Sequence, residues 1–164
     1  MKNDFKATIK KELTSFLISK GFIKMPFVCA DFVDFYRDKT NKRELIAIQF
    51  DKHHRKRYLL EAGECELSGI TNYGIHTPIE RVSVGSLSYR VRLKPKRGHS
   101  TNSWFRTDGL FDRIFGKNNT DDVLICTKNI FAQVEDWFSK RTIGPNIFVL
   151  DMEPASGNAI RSCE

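Results

Sequence analysis

The chain of 164 residues is long enough for one domain with a real core, and its content of 40% hydrophobic and 29% charged residues is typical of a soluble globular protein. A net charge of +7 favours anionic partners, such as nucleic acid, an acidic protein face or a membrane surface, although many basic proteins use charge only to stay dispersed. The four cysteines share no C-x-x-C spacing, which disfavours a disulfide scaffold or a zinc ribbon and is typical of reduced thiols in the cytoplasm.

The N-terminal segment does not have the pattern of a secretory signal. The charged residues within 1–6 are not followed by an uninterrupted apolar run. The longest apolar runs, 16–18 and 147–150, fall far short of the roughly 20 residues that cross a bilayer. We therefore expect a cytoplasmic protein with no membrane partner.

Apolar residues at helical spacing predict a first helix close to the N-terminus. One stripe of that helix comprises Phe5, Ile9, Leu13, Phe16 and Leu17. Asn3 is the expected N-cap, Gly21 is the expected left-handed C-cap, and Phe22 can then fold back onto the stripe. The lysines around this helix are expected to form a solvated face; they are Lys6, Lys10, Lys11 and Lys20.

The middle of the chain has the pattern of an antiparallel sheet. The predicted strands are 32–36, 44–50, 58–62 and 88–94, while residues 67–87 look less regular, with a short strand near 82–84. Because these strands follow one another through turns, without helices between them, we expect antiparallel pairing with one packed face and one solvated face.

Positive charge is concentrated at one predicted hairpin tip. Between strands 44–50 and 58–62 lies the cationic loop, which we define as Lys52, His53, His54, Arg55, Lys56 and Arg57. A second cationic row follows on the solvated side of strand 88–94 and in the turn after it; it consists of Arg90, Arg92, Lys94, Lys96 and Arg97. Together these residues are the predicted partner-binding site, in which the loop continues into the row as one surface.

A long amphipathic helix is predicted near the C-terminus. Its broad apolar stripe comprises Val123, Leu124, Thr127, Ile130, Phe131, Val134, Trp137 and Phe138. Thr120 is the expected cap, Gly144 and Pro145 end the helix, and one or two helical turns are expected before it, near 110–115. Residues 147–150 are expected to add an edge strand. The predicted organisation is a single domain over 1–150, followed by a loose tail, rich in small and polar residues, over 151–164.

Metal ligands are not grouped in the sequence. Neighbouring side chains in an extended loop point apart, so His53 and His54 do not suit one ion, and Cys65 with His76 gives only two scattered ligands. We predict neither a metal nor a cofactor.

A cluster of carboxylates surrounds the strand 58–62, formed by Asp51, Glu61, Glu64 and Glu66. It lacks the acid-x-lysine arrangement that is common in metal-dependent nucleases. We interpret these acids as offsetting the charge of the cationic loop.

Catalytic motifs are sparse. Phosphate-binding loops and serine-nucleophile motifs do not occur, and we predict that the protein is not an enzyme. Metal-independent RNA cleavage stays open as an alternative, because His54, His76 and His99 lie in polar, basic surroundings that suit a general acid and base. Nucleic-acid binding also stays open, although the sequence has no zinc finger, helix-turn-helix or RNA-recognition motif.

Four aromatic or apolar segments follow one another along residues 4–140. They are Lys20-Gly21-Phe22, the strand Leu45-Ile46-Ala47-Ile48-Gln49-Phe50, the pair Trp104-Phe105 and the pair Trp137-Phe138. This order resembles a family of small bacterial α+β proteins of unknown function, which implies one antiparallel sheet capped by N- and C-terminal helices and carries no functional residue across. In kind, the chain is also similar to immunity proteins, which protect bacteria from their own secreted toxins.

The sequence therefore predicts an α+β fold with a single antiparallel sheet of about five or six strands, packed by N-terminal and C-terminal amphipathic helices. The predicted function is non-enzymatic binding in the cytoplasm, as an immunity protein that neutralises a cognate bacterial toxin domain. The positive charge argues against mimicry of nucleic acid, and an immunity protein of this charge is expected to meet an acidic toxin surface or to bind away from a basic active site.

Overall fold

A seven-stranded sheet runs through the computed structural model, which describes residues 4–27, 29–95, 103–107 and 119–151. The strands in chain order are β1 (Ile23–Lys24), β2 (Phe32–Asp38), β3 (Lys42–Phe50), β4 (Arg57–Glu66), β5 (Ile70–Asn72), β6 (Ile75–Thr77), β7 (Tyr89–Leu93), β8 (Phe105–Arg106) and β9 (Ile147–Asp151). The helices of these ranges are α1 (Phe5–Ser19), α2 (Thr120–Ile130) and α3 (Ala132–Lys140), with short 3₁₀ turns at Ile79–Arg81 and Val84–Ser86.

The sheet has the order β1-β2-β3-β4-β7-β9, and β8 pairs with the start of β4. All pairings among the described strands are antiparallel, and β5 with β6 forms a separate two-stranded sheet. The predicted α+β class and antiparallel sheet are confirmed; about five or six strands were predicted, and the sheet has six in its main order with β8 as a seventh. The added strands β1 and β8 have two residues each, too few for an alternating pattern to reveal them.

The first helix forms as its apolar stripe predicts, with a different cap. Asp4 accepts a hydrogen bond from the backbone N–H of Lys6 at 3.1 Å, whereas the predicted cap Asn3 lies outside the described residues. Gly21 has φ +83° after the last turn, and the N–H of Phe22 donates to the carbonyl of Leu17 at 3.0 Å. Phe22 is thereby buried, which confirms the predicted C-cap. No helix in the described ranges is long and apolar enough to span a bilayer.

One face of the sheet shares its core with the helices. Residues of β2, β3, β4 and β7 join residues of α1, α2 and α3 in one buried apolar cluster. At its centre, the hydroxyl groups of Tyr58 and Thr127 lie 2.5 Å apart and tie β4 to α2. Tyr58 also stacks on Phe105 of β8, with ring centroids 5.2 Å apart. This packing fixes the position of the start of β4, the strand that follows the cationic loop.

The opposite face is partly covered, contrary to the expected solvated face. Residues from the irregular segment 67–87, among them Val82, Val84 and Leu87, form a second buried cluster on β3 and β4. Residues 82–84 form no strand; a 3₁₀ turn begins at Val84 instead. Gly63 permits this close approach, because a Cβ there would lie 2.4 Å from Cδ1 of Leu87.

The C-terminal helix is divided into two. Asn119, rather than Thr120, caps α2 through a reciprocal hydrogen bond with Asp122. At Phe131 the chain tightens, since the N–H of Val134 donates to the Phe131 carbonyl at 2.9 Å, and α3 follows. The final strand β9 lies at the edge of the sheet, as predicted, and pairs with β7. Asp151, the first residue of the predicted tail, ends β9, while the turns expected at 110–115 and residues 152–164 of the tail lie outside the described residues.

Candidate functional site

The cationic loop connects β3 to β4 at one end of the sheet, as predicted. Its backbone is organised by Asp51, the last residue before it. One carboxylate oxygen of Asp51 accepts the N–H of His53 at 2.8 Å, and its carbonyl accepts the N–H of His54 at 3.1 Å. His54 itself has φ +58°, a left-handed conformation that closes the turn.

Neighbouring groups stabilise the negative charge of the Asp51 carboxylate. Burial on its own would raise the pKa of this carboxyl, but hydrogen bonds from Arg57 and the His53 N–H, with the charges of Arg57 and Arg55, lower it to about 2. The Nε of Arg57 donates to Asp51 at 2.6 Å. Asp51 is therefore ionised throughout the physiological pH range and compensates part of the loop's positive charge.

Arg57 serves the structure of the loop. It is the first residue of β4, and its guanidinium lies over the ring of Trp104, 4.3 Å from the centroid. Its side chain is largely buried, whereas the other residues of the cationic loop are exposed; they are Lys52, His53, His54, Arg55 and Lys56. These five side chains are available to a partner.

An open recess of about 450 Å³ lies beside the cationic loop. Its lining among the described residues consists of Asp31, Phe32, Gln49, Phe50, Asp51, Lys52, His53, Arg55, Arg57 and Trp104. The recess thus combines apolar walls with a cationic rim, an arrangement typical of sites that recognise an anion attached to an apolar group.

Two lysines of α1 enlarge the positive surface. The Nζ atoms of Lys6 and Lys10 lie 5.4 and 5.6 Å from the ring centroid of Phe50, and Lys6 pairs with Asp31 at 2.8 Å. Burial lowers the pKa of Lys10, and the charges of Lys6 and Lys24 lower it further. Sequence reasoning placed these lysines on a merely solvated face, because helical spacing does not show which strand end a helix approaches.

The second cationic row differs from the expected exposed surface. Arg92 donates to Glu61 through Nε at 2.9 Å, and Arg90 lies 3.3 Å from the other oxygen of the same carboxylate. Glu61 is 5% exposed and Lys94 is 3% exposed. The exposure predicted for Arg90, Arg92 and Lys94 therefore needs correction: a shared carboxylate compensates the arginines, and the lysine is buried.

The last two residues of the predicted site, Lys96 and Arg97, lie outside the described residues. The described part of the chain thus does not extend the cationic loop into a continuous row along β7.

The predicted carboxylate cluster is dispersed. Glu61 and Glu64 lie on opposite faces of β4, because side chains alternate along a strand. Glu64 pairs with Lys42 at 2.6 Å, far along the hairpin from Asp51. Within the described ranges, no group of three or more His, Cys, Asp or Glu residues is placed to hold a metal ion.

The histidines considered for RNA cleavage are also separated. His54 precedes β4, whereas His76 belongs to β6, which follows the opposite end of that ten-residue strand. The Nδ1 of His76 lies 3.3 Å from the hydroxyl of Thr71, and His99 lies outside the described residues. Cys65, which the sequence analysis considered as a metal ligand together with His76, is buried on β4, and burial raises the pKa of its thiol to about 11.

No protein-family model, curated protein or solved structure matches the chain.

Proposed function

We propose that this protein is a non-enzymatic binding protein of the cytoplasm, most concretely an immunity protein that binds and neutralises a cognate bacterial toxin domain. The observation that carries the proposal is the cationic loop: five exposed basic side chains stand on a backbone held by the buried Asp51. A loop that is ordered before binding loses less conformational freedom on association than a flexible one.

The shape of the positive surface supports an acidic protein over nucleic acid. Proteins usually bind nucleic acid in a groove whose cations contact several successive phosphates. Here Arg90 and Arg92 are engaged by Glu61, and Lys94 is buried, so these residues of β7 and its end do not extend the exposed cations of the loop into such a groove. A compact patch of this kind suits an acidic patch on a protein.

The proposal includes the helix packing expected from the sequence. In it, the N- and C-terminal helices cover one face of the sheet and leave the β3–β4 tip open to the toxin domain. The resemblance in kind to immunity proteins is consistent with such an arrangement.

Co-expression with a toxin domain encoded next to this gene tests the proposal. We expect the chain to restore growth of cells that produce the toxin, and the purified proteins to form a complex in isothermal titration calorimetry. A toxin that still kills in the presence of the folded chain, with no heat of binding, would refute the proposed function.

A charge-neutralised loop locates the interface. Lys52→Ser, Arg55→Ser and Lys56→Ser together should slow association about tenfold at low salt, since exposed charges mainly steer encounter. The matched control is Lys39→Ser, Arg81→Ser and Lys140→Ser, which removes the same charge from exposed positions near the other end of the β3–β4 hairpin. Equal effects of the two triple variants would place the interface elsewhere.

Nucleic-acid binding, with or without metal-independent RNA cleavage, is the alternative, and one observation favours it: the exposed cations stand beside an aromatic residue, Trp104. Fluorescence anisotropy with a labelled single-stranded RNA separates the two functions. Tight binding that weakens steeply with added salt would support the alternative. No retention of RNA at low salt, with the RNA left intact, would support the protein partner.

A further inference from the structure

The recess beside the cationic loop has the size of a site for a side chain or a small ligand. Its volume of about 450 Å³ falls within the range of about 300–1,000 Å³ typical of such sites. Phe32 and Gln49 contribute from β2 and β3, Trp104 contributes from the residue before β8, and the cationic loop contributes Lys52, His53 and Arg55. Elements distant in sequence thus converge on one cavity.

The charges of the lining match a single negative charge. Lys52, Arg55 and Arg57 are cations and Asp31 and Asp51 are carboxylates, so the lining has one net positive charge when His53 is neutral. The lining therefore favours an anionic ligand, and one carboxylate of a ligand would restore its neutrality.

The cations are not equally available to a ligand. Arg57 already binds Asp51 at 2.6 Å, while Asp31 binds Lys6 at 2.8 Å. Arg55 is only loosely held, with its Nε 3.4 Å from Asp51 and half of its side chain exposed, at 51%. Arg55 and the exposed Lys52 are therefore the groups that can turn toward an incoming anion.

The apolar walls of the recess favour a ligand in which an apolar group lies next to the anion. The rings of Phe32 and Trp104 line the recess, and a buried aromatic or aliphatic anchor is what gives a protein interface most of its affinity. We infer that the recess is the anchor site for an acidic peptide segment of the partner, in which one Asp or Glu carboxylate faces Lys52 and Arg55 and a neighbouring apolar side chain contacts the aromatic wall. This inference rests on the proposed function and specifies its contact chemistry.

Nuclear magnetic resonance titration of the full chain tests it with defined probes. The chain has two tryptophans: Trp104 lines the recess and Trp137 is 1% exposed, so the indole N–H of Trp137 is an internal control. Acetyl-Glu-Phe-amide should shift the Trp104 resonance and leave Trp137 unchanged. Acetyl-Gln-Phe-amide should bind about two- to fivefold more weakly, as expected from losing one partly exposed ion pair.

Other probes decide between occupants. Inorganic phosphate or adenosine monophosphate shifting Trp104 at lower concentration than the acidic dipeptide would overturn the inference in favour of a phosphate site. Equal binding of the glutamate and glutamine probes, or no shift with either, would overturn it as well.

A variant that fills the recess provides the second arm. Gln49→Trp adds bulk without changing charge and should abolish the probe-induced shift while the protein keeps a cooperative thermal transition. Should Gln49→Trp not fold, Arg55→Gln at the exposed rim should weaken the glutamate probe about two- to fivefold, and Lys39→Ser should not. Unchanged probe affinity in Arg55→Gln would contradict the inference.

The toxin assay separates this inference from the proposed function. If Gln49→Trp, with its recess filled, protects against the toxin as well as wild type does, the proposed function stands and the anchor site is refuted. If wild type binds the acidic dipeptide at Trp104 but neither binds nor neutralises the toxin, the acid-binding recess stands and the immunity function is refuted.

Discussion

Replacing Asp51 by asparagine removes the negative charge that organises the cationic loop, while it keeps the side chain's size and one acceptor oxygen. The difference between the ordinary carboxyl pKa of 3.8 and the pKa of about 2 corresponds to roughly 2–3 kcal/mol of stabilisation at neutral pH. Losing a charged hydrogen bond, here that of the largely buried Arg57, gives a similar figure of about 1.5–3 kcal/mol. We therefore expect Asp51→Asn to lower the free energy of unfolding by about 2–3 kcal/mol at pH 7.

The effect of pH on this variant follows from the sign of the pKa difference. Because the folded state holds the Asp51 carboxyl at a lower pKa than the unfolded state does, its stabilisation is complete above about pH 5. It is lost as the pH falls through the folded pKa of about 2. The difference in unfolding free energy between wild type and Asp51→Asn should thus shrink toward acid pH.

Urea unfolding followed by tryptophan fluorescence, at several values between pH 7 and pH 2, measures this difference. Asp31→Asn is the matched control, since Asp31 pairs with Lys6 at 2.8 Å but both side chains are 30% exposed. A pair of that exposure contributes about 0–1 kcal/mol. Equal losses in Asp51→Asn and Asp31→Asn, or a difference that does not change with pH, would show that Asp51 does not organise the loop.

Three further outcomes are expected. Arg37→Met should cost about 3 kcal/mol in urea unfolding, because it leaves the buried Glu44, 2.7 Å from the guanidinium, without its cation; a loss below about 1 kcal/mol would contradict this role. Tyr58→Phe should cost about 0.5–1.5 kcal/mol by removing the hydroxyl contact with Thr127, and unchanged stability would show that the contact contributes nothing. The triple loop variant described above should keep its thermal midpoint within a few degrees of wild type, because its side chains are exposed, and a large drop would mean that these cations are structural.

Local patterns in the sequence were enough to predict much of the fold. The stripe of α1, its end at Gly21 and the strands around the cationic loop each depend on neighbours within a few residues, and the structure contains all of them. The division of the last helix at Phe131 was not predicted, because its apolar stripe continues through the break.

The candidate site could be predicted only in part. The exposure of the cationic loop follows from its place between two strands. The pairing of Arg92 with Glu61 depends on the register between β4 and β7, which are separated by a long irregular segment. The approach of Lys6 to Asp31 and the position of Trp104 beside the recess arise from tertiary packing, which periodicity does not reveal.

The most direct test of the proposed cationic interface is the association rate constant with the toxin domain, measured by stopped-flow at increasing ionic strength. We expect wild type and the control triple variant to associate about tenfold faster than the loop triple variant in low salt, and all three to converge near 0.5 M salt, where screening acts over about 4 Å. Equal rate constants for all three proteins at low salt would contradict a role for the cationic loop in binding.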